Sequence, residues 1–448
     1  MTNVYIADSK ESIQAATDKI LNQIKDKTGS ILKSSRKVYI KINGIDFKKH
    51  CYTSPEVLES VIKYFKRIGA REVYVMENST QSNMTRVVFA VNGYKKICKK
   101  HGAKILYLDE EDSKVYEFKG SPSAQLAPKG YQLKTLKLPE TVVKIMENRD
   151  EITYINLPKL KTHSMAVVTL GIKNQWGFPQ HGSRGKDHNY NLHGKLVDVY
   201  EYIQPDITLI DGTEGTIHGH YPPTAFEDEL VIPFNILIGG TDTLSVDVVG
   251  ARIFGLSINE VPHLKIAQER GLGEGNLDKI EVMGKDLSQY DKKYDWHLLQ
   301  RFPENVKLVK GTELLCREGC LNNSLALLQV LAYDYPDKFH GDWFIVMGKG
   351  HDEDIAKRLE HEGYTKGLVS GECAIEEVGE KLRDKFGKKH VYYSTECNNL
   401  AQTATAMFNL SGVSALDLFK GKISLLKMIF LLIAGKLHGS KARIPSVF

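Results

Sequence analysis

Short apolar runs that break into a polar turn and then a helix recur along this chain, and that rhythm leaves few folds open. Val38-Tyr-Ile-Lys-Ile-Asn43, Glu72-Val-Tyr-Val-Met-Glu77 and Lys104-Ile-Leu-Tyr-Leu-Asp109 have the composition of strands. Between them, Thr53-Ser-Pro-Glu56 offers a hydroxyl cap with proline just inside, opening a helix over 57–68 that stops at Gly69. Helices are also expected over 9–26 and 84–101, and 111–138 reads as an irregular excursion. Strand, helix, strand, helix, strand predicts a right-handed α/β unit on a parallel sheet. The rhythm resumes with strands at 152–157, 206–211, 234–242 and 279–283, closing a first domain at residues 1–286. A linker follows over 287–305. From Val306 the pattern restarts, with strands at 306–309, 343–347, 367–370 and 390–394, giving a smaller domain over 306–448. At 448 residues the chain exceeds one ordinary core. The expected class is α/β: two parallel-sheet, Rossmann-like domains with ligand sites at the carboxyl edges of the strands.

The stretch Asn156-Leu-Pro-Lys-Leu-Lys-Thr-His163 places chemistry at such an edge. An apolar strand runs into Pro158 and then delivers Lys159, Lys161, Thr162 and His163. Val167-Val-Thr-Leu-Gly-Ile-Lys-Asn174 reads as the helix that follows, carrying Lys173 and Asn174. Two cations, a hydroxyl and an imidazole suit a small anionic molecule, with His163 as acid/base or metal ligand. The bland alternative is a solvated basic loop. Asn43, Glu77, Asn78, Asp211, Glu214, Thr241 and Asp242 also follow strands, so a parallel sheet would converge them on one edge. From this set His163, Lys161 and Asp211 are the catalytic candidates, with Asp211 and Asp242 orienting the imidazole or holding a cation. Lys159, Thr162, Lys173, Asn174, Asn43, Asn78, Thr241 and Asp242 are the substrate-binding candidates.

In the second domain Cys316, Cys320, Cys373 and Cys397 each fall between a strand and the helix after it. Helix N-termini favour thiolates. Four thiolates there suit an iron–sulfur cluster of the 4Fe–4S kind, or tetrahedral zinc as the alternative. Ligands dispersed over three loops favour the cluster. Chance packing of thiols is the competing explanation, and Cys51 and Cys98 fit it well. His181, His188, His193, His218 and His220 allow metal handling, although loop histidines are commonly just solvated.

Composition narrows the remaining classes. A net charge of +5, with 42% apolar and 26% charged residues, is that of a globular protein and gives no argument for nucleic acid. Lys95, Lys96, Lys99 and Lys100 read as a wet helix face. No basic-then-apolar leader opens the sequence, and six irregularly spaced cysteines do not form a disulfide framework, so a cytoplasmic protein is expected. The apolar stretch 423–434 is too short to span a bilayer and holds Lys427. It reads as a buried helix or a homo-oligomer contact, with interfacial membrane contact the lesser option given its basic flanks.

Lys41-Ile-Asn43, Thr53-Ser-Pro-Glu-Val-Leu-Glu-Ser-Val-Ile62, Leu157-Pro-Lys-Leu-Lys-Thr-His163, Gly171-Ile-Lys-Asn174, Pro205-Asp-Ile-Thr-Leu-Ile-Asp-Gly212 and Gly240-Thr-Asp-Thr-Leu-Ser-Val-Asp247 occur in that order. This series resembles the bacterial and archaeal family catalogued as domain of unknown function 362, over roughly residues 36–284. The resemblance implies an iron–sulfur association, since many members carry or neighbour ferredoxin segments. No C-x-x-C-x-x-C run is present here, so a cluster would rest on the dispersed cysteines. Nor is there a G-x-G-x-x-G after the first strand, a Walker loop or a G-x-S-x-G. Two functions fit. The favoured one is an iron–sulfur enzyme, an oxidoreductase or lyase, acting on a small carboxylate- or phosphate-bearing substrate in an inter-domain crevice. The alternative is a non-catalytic electron-transfer or metal-centre assembly protein that docks an acidic partner.

Overall fold

The computed structural model describes residues 1–80, 82–119, 135–181 and 192–445. Its strands are β1 (Thr2–Asp8), β2 (Lys37–Ile42), β3 (Glu72–Glu77), β4 (Lys104–Tyr107), β5 (Ser113–Glu117), β6 (Thr135–Pro139), β7 (Ile152–Leu157), β8 (Lys159–His163) and β9 (Val167–Thr169). They continue with β10 (Ile207–Thr216), β11 (Val231–Ile232), β12 (Ile236–Gly240), β13 (Ile280–Gly284), β14 (Val306–Lys310), β15 (Trp343–Met347), β16 (Gly367–Ser370) and β17 (Val391–Ser394).

The first sheet runs β13-β1-β12-β10-β7-β2-β3-β4, with β8, β9 and β11 joined at its β10 side. Its apolar residues divide between two faces by the period of two that a pleated strand imposes. Val38 and Ile40 pack with Val57, Leu58 and Val61 of the helix Pro55–Arg67, whereas Tyr39 and Tyr154 face the opposite core with Leu196 and Val249. The expected cap is present, since Ser54 Oγ accepts from the Glu56 N–H with Pro55 in the first turn. The expected helix over 84–101 is broken into Thr85–Val91 and Tyr94–His101 by Gly93, which sits at φ 80°. Lys95, Lys96, Lys99 and Lys100 are exposed as expected. Part of the 111–138 excursion is regular: β5 and β6 form an antiparallel pair.

One direction differs from expectation. β12 runs antiparallel to both of its neighbours, β1 and β10, while β10, β7, β2, β3 and β4 are mutually parallel. β1 itself is a strand that the sequence reading passed over.

The second sheet is wholly parallel, in the order β14-β15-β16-β17. Trp343, Ile345 and Met347 face the helices Asn322–Asp334 and Leu400–Ser411. Phe344 and Val346 face Ile355–His361 and Glu380–Phe386. Direct bonds join the two sheets' layers. Asn322 Nδ2 donates to the Ser164 carbonyl at 2.9 Å and the Thr224 N–H to Asp334 Oδ1 at 2.6 Å, while Gln329 Nε2 holds the connecting segment through the Arg301 carbonyl at 2.8 Å. The last helix, Leu425–Leu437, returns to the first domain, and Met84, Val87 and Leu431 form a small core beneath it. Among the described residues, no helix is long and apolar enough to cross a membrane.

Candidate functional site

The polar stretch after Pro158 is a strand, not a loop. Pro158 has no N–H to give, but its carbonyl accepts from the Asp211 N–H at 2.8 Å, and the chain continues along β10 as β8. β8 then turns back as β9, so the helix expected from Val167 begins only at Gly171. A strand sends alternate side chains to opposite faces. Lys159, Lys161 and His163 therefore share one face, and Leu160 and Thr162 the other.

Lys161 is fully buried. Its ammonium donates to Asn43 Oδ1 at 2.7 Å and to the Cys51 carbonyl. The Asn43 amide donates in turn to Asn174 Oδ1, and the Asn174 amide to Asn156 Oδ1, each at 2.8 Å. This relay of amides fixes the lysine from three elements. Removal from water pushes the Lys161 pKa down to about 8, Lys159 adding to the fall and Cys51, Glu77 and Asp46 opposing it. His163 Nδ1 accepts from the N–H groups of Met165 and Ala166, both at 3.2 Å. The proton of the neutral ring therefore sits on Nε2. The His220 ring stacks on His163 with 3.9 Å between centroids and 6° between planes.

Lys161, His163, Asn43, Lys173, Asn174 and His220 line one wall of a cavity of about 250 Å³ between the two sheets. The facing wall is apolar and comes from the second domain: Ala326, Leu327 and Val330 on one helix, Ala404 and Phe408 on another. Phe419, Leu432 and Ile444 close one side. Asp46, Lys48 and Lys422 add charge to the lining, and Lys48 is ion-paired to Asp334.

Several expected site residues lie elsewhere. Thr241 and Asp242 follow the antiparallel strand β12, so they stand at the opposite edge of the sheet, with Gly240 across from Thr208 at the start of β10. Asp242 caps the helix Thr243–Ile253 and accepts from the Glu274 N–H at 2.8 Å. Asp211 is not at a strand end, because β10 continues to Thr216. Its carboxylate takes the Ser54 N–H at 2.6 Å, Lys159 at 3.2 Å and the Thr213 hydroxyl at 2.7 Å. It is thus a buried brace for Lys159, and backbone amides orient His163 in its place. Thr162 Oγ1 accepts from the Gly219 N–H at 3.0 Å, on the side away from the cavity. Asn78 bonds the Pro179 carbonyl and His181.

Lys41, outside the expected set, and Glu77, expected at the edge without an assigned role, complete the wall's support. Lys41 and Glu77 form a buried ion pair, and Glu77 also accepts from the Gly44 and Asn78 N–H groups at 2.6 and 2.8 Å. Gly177 lies against this pair; a Cβ there would sit 2.7 Å from Lys41 Nζ. A lysine inside the otherwise apolar run 38–42 was the legible sign of it. His188 lies outside the described residues. His193 and His263 stack with each other, both held neutral chiefly by burial, and neither is among the residues that line the cavity.

All four strands of the second sheet end on one edge, and each cysteine loop leaves from it. Cys320 lies against the end of β16, since a Cβ on Gly371 would stand 3.7 Å from its sulfur. The Cys373 and Cys397 loops are tied together: the Glu372 N–H donates to the Glu396 carbonyl and the Glu396 N–H to Glu372 Oε1, both at 2.9 Å. Beneath them Asn398 Nδ2 donates to Ser370 at 2.8 Å and to Ser324 at 3.0 Å, and those two hydroxyls bond each other. Glu396 and Asn398 both hold positive φ, at 61° and 91°. Backbone bent this way around the thiols is held by the network below it. Cys320 is buried, the other three half-buried. Burial pushes the Cys320 thiol up to about 12, and Cys316, Cys373 and Cys397 push the same way. Each of the other three sulfurs thus lies within electrostatic reach of Cys320, and a cation beside that thiol would relieve the cost. Among the described residues, no three His, Cys, Asp or Glu side chains are already gathered as a ligand set for one ion. Cys51 and Cys98 are buried singly, as packing residues should be, with both thiols pushed up to about 12 by burial.

Residues 38–252 match the family described as Domain of unknown function (DUF362). That stretch belongs to the family. It contains Asn43, Lys161, His163, Lys173 and Asn174; Cys316, Cys320, Cys373 and Cys397 lie beyond it. A thylakoid-associated protein of Synechocystis sp. is 26% identical in an alignment of 257 positions that covers 54% of this chain and 71% of that protein. A crystal structure of a Thermotoga maritima protein covers 88% of this chain and 90% of its own at 10% identity, with a TM-score of 0.38. That likeness is too slight to bear on function.

Proposed function

We propose that this chain is an iron–sulfur enzyme of the cytoplasm, acting on a small anion with an apolar body. The observation that carries this reading is the Asn322–Ser164 hydrogen bond. Ser164 follows His163 directly, and Asn322 follows Cys320 by two residues, so the cysteine edge abuts the polar wall. The donor set fits a cluster: four thiols on one edge and a buried hydroxyl network fixing three of their loops. Cys316, Cys320, Cys373 and Cys397 would hold a 4Fe–4S cluster, which would supply one-electron chemistry.

The remaining roles belong to the chain's own side chains. Lys161 and Lys173 take the carboxylate or phosphate, Lys161 pre-positioned by Asn43 and Asn174. His163 exchanges a proton at Nε2, its Nδ1 being occupied by backbone amides. Leu327, Val330, Ala404 and Phe408 receive the apolar part of the substrate and exclude water from the charged wall.

The test is anaerobic purification with iron, sulfide and zinc quantification and a visible spectrum, on the wild type and on Cys320→Ala and Cys373→Ala. Near-stoichiometric iron and sulfide, lost in both variants, is the expected result. Zinc without colour, or no metal at all, overturns the cluster. Binding of octanoate that survives Lys161→Met unchanged overturns the anion site, whatever the metal result. A protein with its cluster and no affinity for octanoate or octyl phosphate would instead be an electron carrier.

A further inference from the structure

The helix Leu425–Leu437 is apolar on two opposite faces. One is accounted for: Met428, Leu431 and Gly435 are buried, Gly435 against Met84. On the other, Leu426, Phe430, Ile433 and Leu437 are 83%, 68%, 55% and 82% exposed. Their spacing of four, three and four residues makes a single stripe along the helix. At about 100° per residue, Lys427 and Lys436 fall to either side of that stripe. Residues 418–445 hold Lys420, Lys422, Lys427, Lys436, Lys441 and Arg443, and no aspartate or glutamate.

We propose that this helix docks the protein on an anionic lipid surface. The stripe enters the boundary between headgroups and acyl chains, and Lys427 and Lys436 reach the phosphates on either side. A helix of 13 residues is far short of a span, so it lies in the plane of the surface. Charge decides against a second copy of the chain as the occupant. A two-fold self-interface would set these lysines against their own copies with no acid in the segment to meet them. The docked face adjoins the cavity, because Leu432 of the same helix and Ile444 just beyond it line that space. The lipid surface would thus sit beside the place where an amphiphilic anion is bound; only this last link rests on the proposed function.

The experiment is co-sedimentation of the full chain with phosphatidylcholine vesicles and with mixed phosphatidylcholine–phosphatidylglycerol vesicles, at low and high salt. Binding to the mixed vesicles, weakened by salt, is expected. Lys427→Gln and Lys436→Gln should each reduce it about fivefold. Leu426→Ser with Phe430→Ser should abolish it while leaving the thermal melt and octanoate binding unchanged. Because the stripe is exposed, the double variant is expected to fold. Equal affinity for neutral vesicles, or none for either, overturns the proposal. So does a concentration-dependent dimer in light scattering that the serine variants dissolve, since the stripe would then be a self-interface.

Discussion

The side-chain amide of Asn322 donates to the backbone carbonyl of Ser164 at 2.9 Å, across the join between the two domains. Both groups are buried, so removing the donor leaves a carbonyl with no water to replace it. Asn322→Ala should lower stability by about 1–3 kcal/mol in urea unfolding. If the bond aligns the cysteine edge with the histidine strand, metal content should be kept while turnover falls. Loss of metal together with turnover would make Asn322 a support of the second domain alone.

Lys161 should give anion binding a basic limb. With its folded pKa lowered to about 8, the ammonium is charged below that pH and neutral above it. Affinity for octanoate should therefore be full at pH 6–7 and fall as pH rises through about 8. Lys161→Met should weaken binding by about 1.5–3 kcal/mol at neutral pH and erase the limb. The sign for stability is opposite. Between about 8 and the ordinary value of 10.5 the unfolded chain holds the proton more tightly, so wild-type stability should rise across that window. The methionine variant should lack this rise.

Glu77 should matter more to stability than its partner Lys41. Lys41→Met leaves a carboxylate that still accepts two backbone N–H groups. Glu77→Leu takes the carboxylate partner from a buried ammonium, which keeps the Ile42 carbonyl, and orphans the Gly44 and Asn78 N–H groups. Breaking a buried pair costs about 3–5 kcal/mol, and the two amides add about 1–3 each. In chemical denaturation Glu77→Leu should be the lower by at least about 2 kcal/mol. Equal losses would mean that those amides find other acceptors.

Most of the strands and the carboxyl-edge placement of the cysteines were legible in the sequence, because apolar runs and hydroxyl caps are local signals. The direction of β12 was not. An antiparallel strand inside a parallel sheet keeps the same apolar run, so Thr241 and Asp242 looked like edge residues until pairing was known. β8 failed for another reason. Lys-Leu-Lys-Thr-His is polar enough for a loop, and only partners 50 to 120 residues away (Asp211 for Lys159, Asn43 for Lys161, Gly219 for Thr162) allow it to be buried. His163 was found through its neighbours' charge, whereas the ring that stacks on it, His220, carried no local sign beyond its type.

Asp247 should make stability depend on pH near neutrality. It is buried beneath the short helix Gly171–Asn174 and accepts from the Gly171 and Ile172 N–H groups at 2.6 and 2.8 Å. Burial raises its pKa to about 7 from an ordinary 3.8, against the two backbone bonds that favour the charge. The folded state then holds the proton more tightly than the unfolded chain. Its contribution is complete below about pH 4 and is lost as pH rises through 7. Asp247→Asn should flatten that slope, because an amide does not titrate. An amide also has one acceptor oxygen where the carboxylate has two, so one N–H of the helix start should lose its partner, at a cost of about 1–3 kcal/mol. Lys173 and Asn174 ride on that same turn. Urea midpoints from pH 4 to 8, read beside octanoate affinity at each pH, separate the two effects. A flattened stability slope with unchanged affinity would confine Asp247 to folding, and a loss of both would place it among the residues that position the cavity wall.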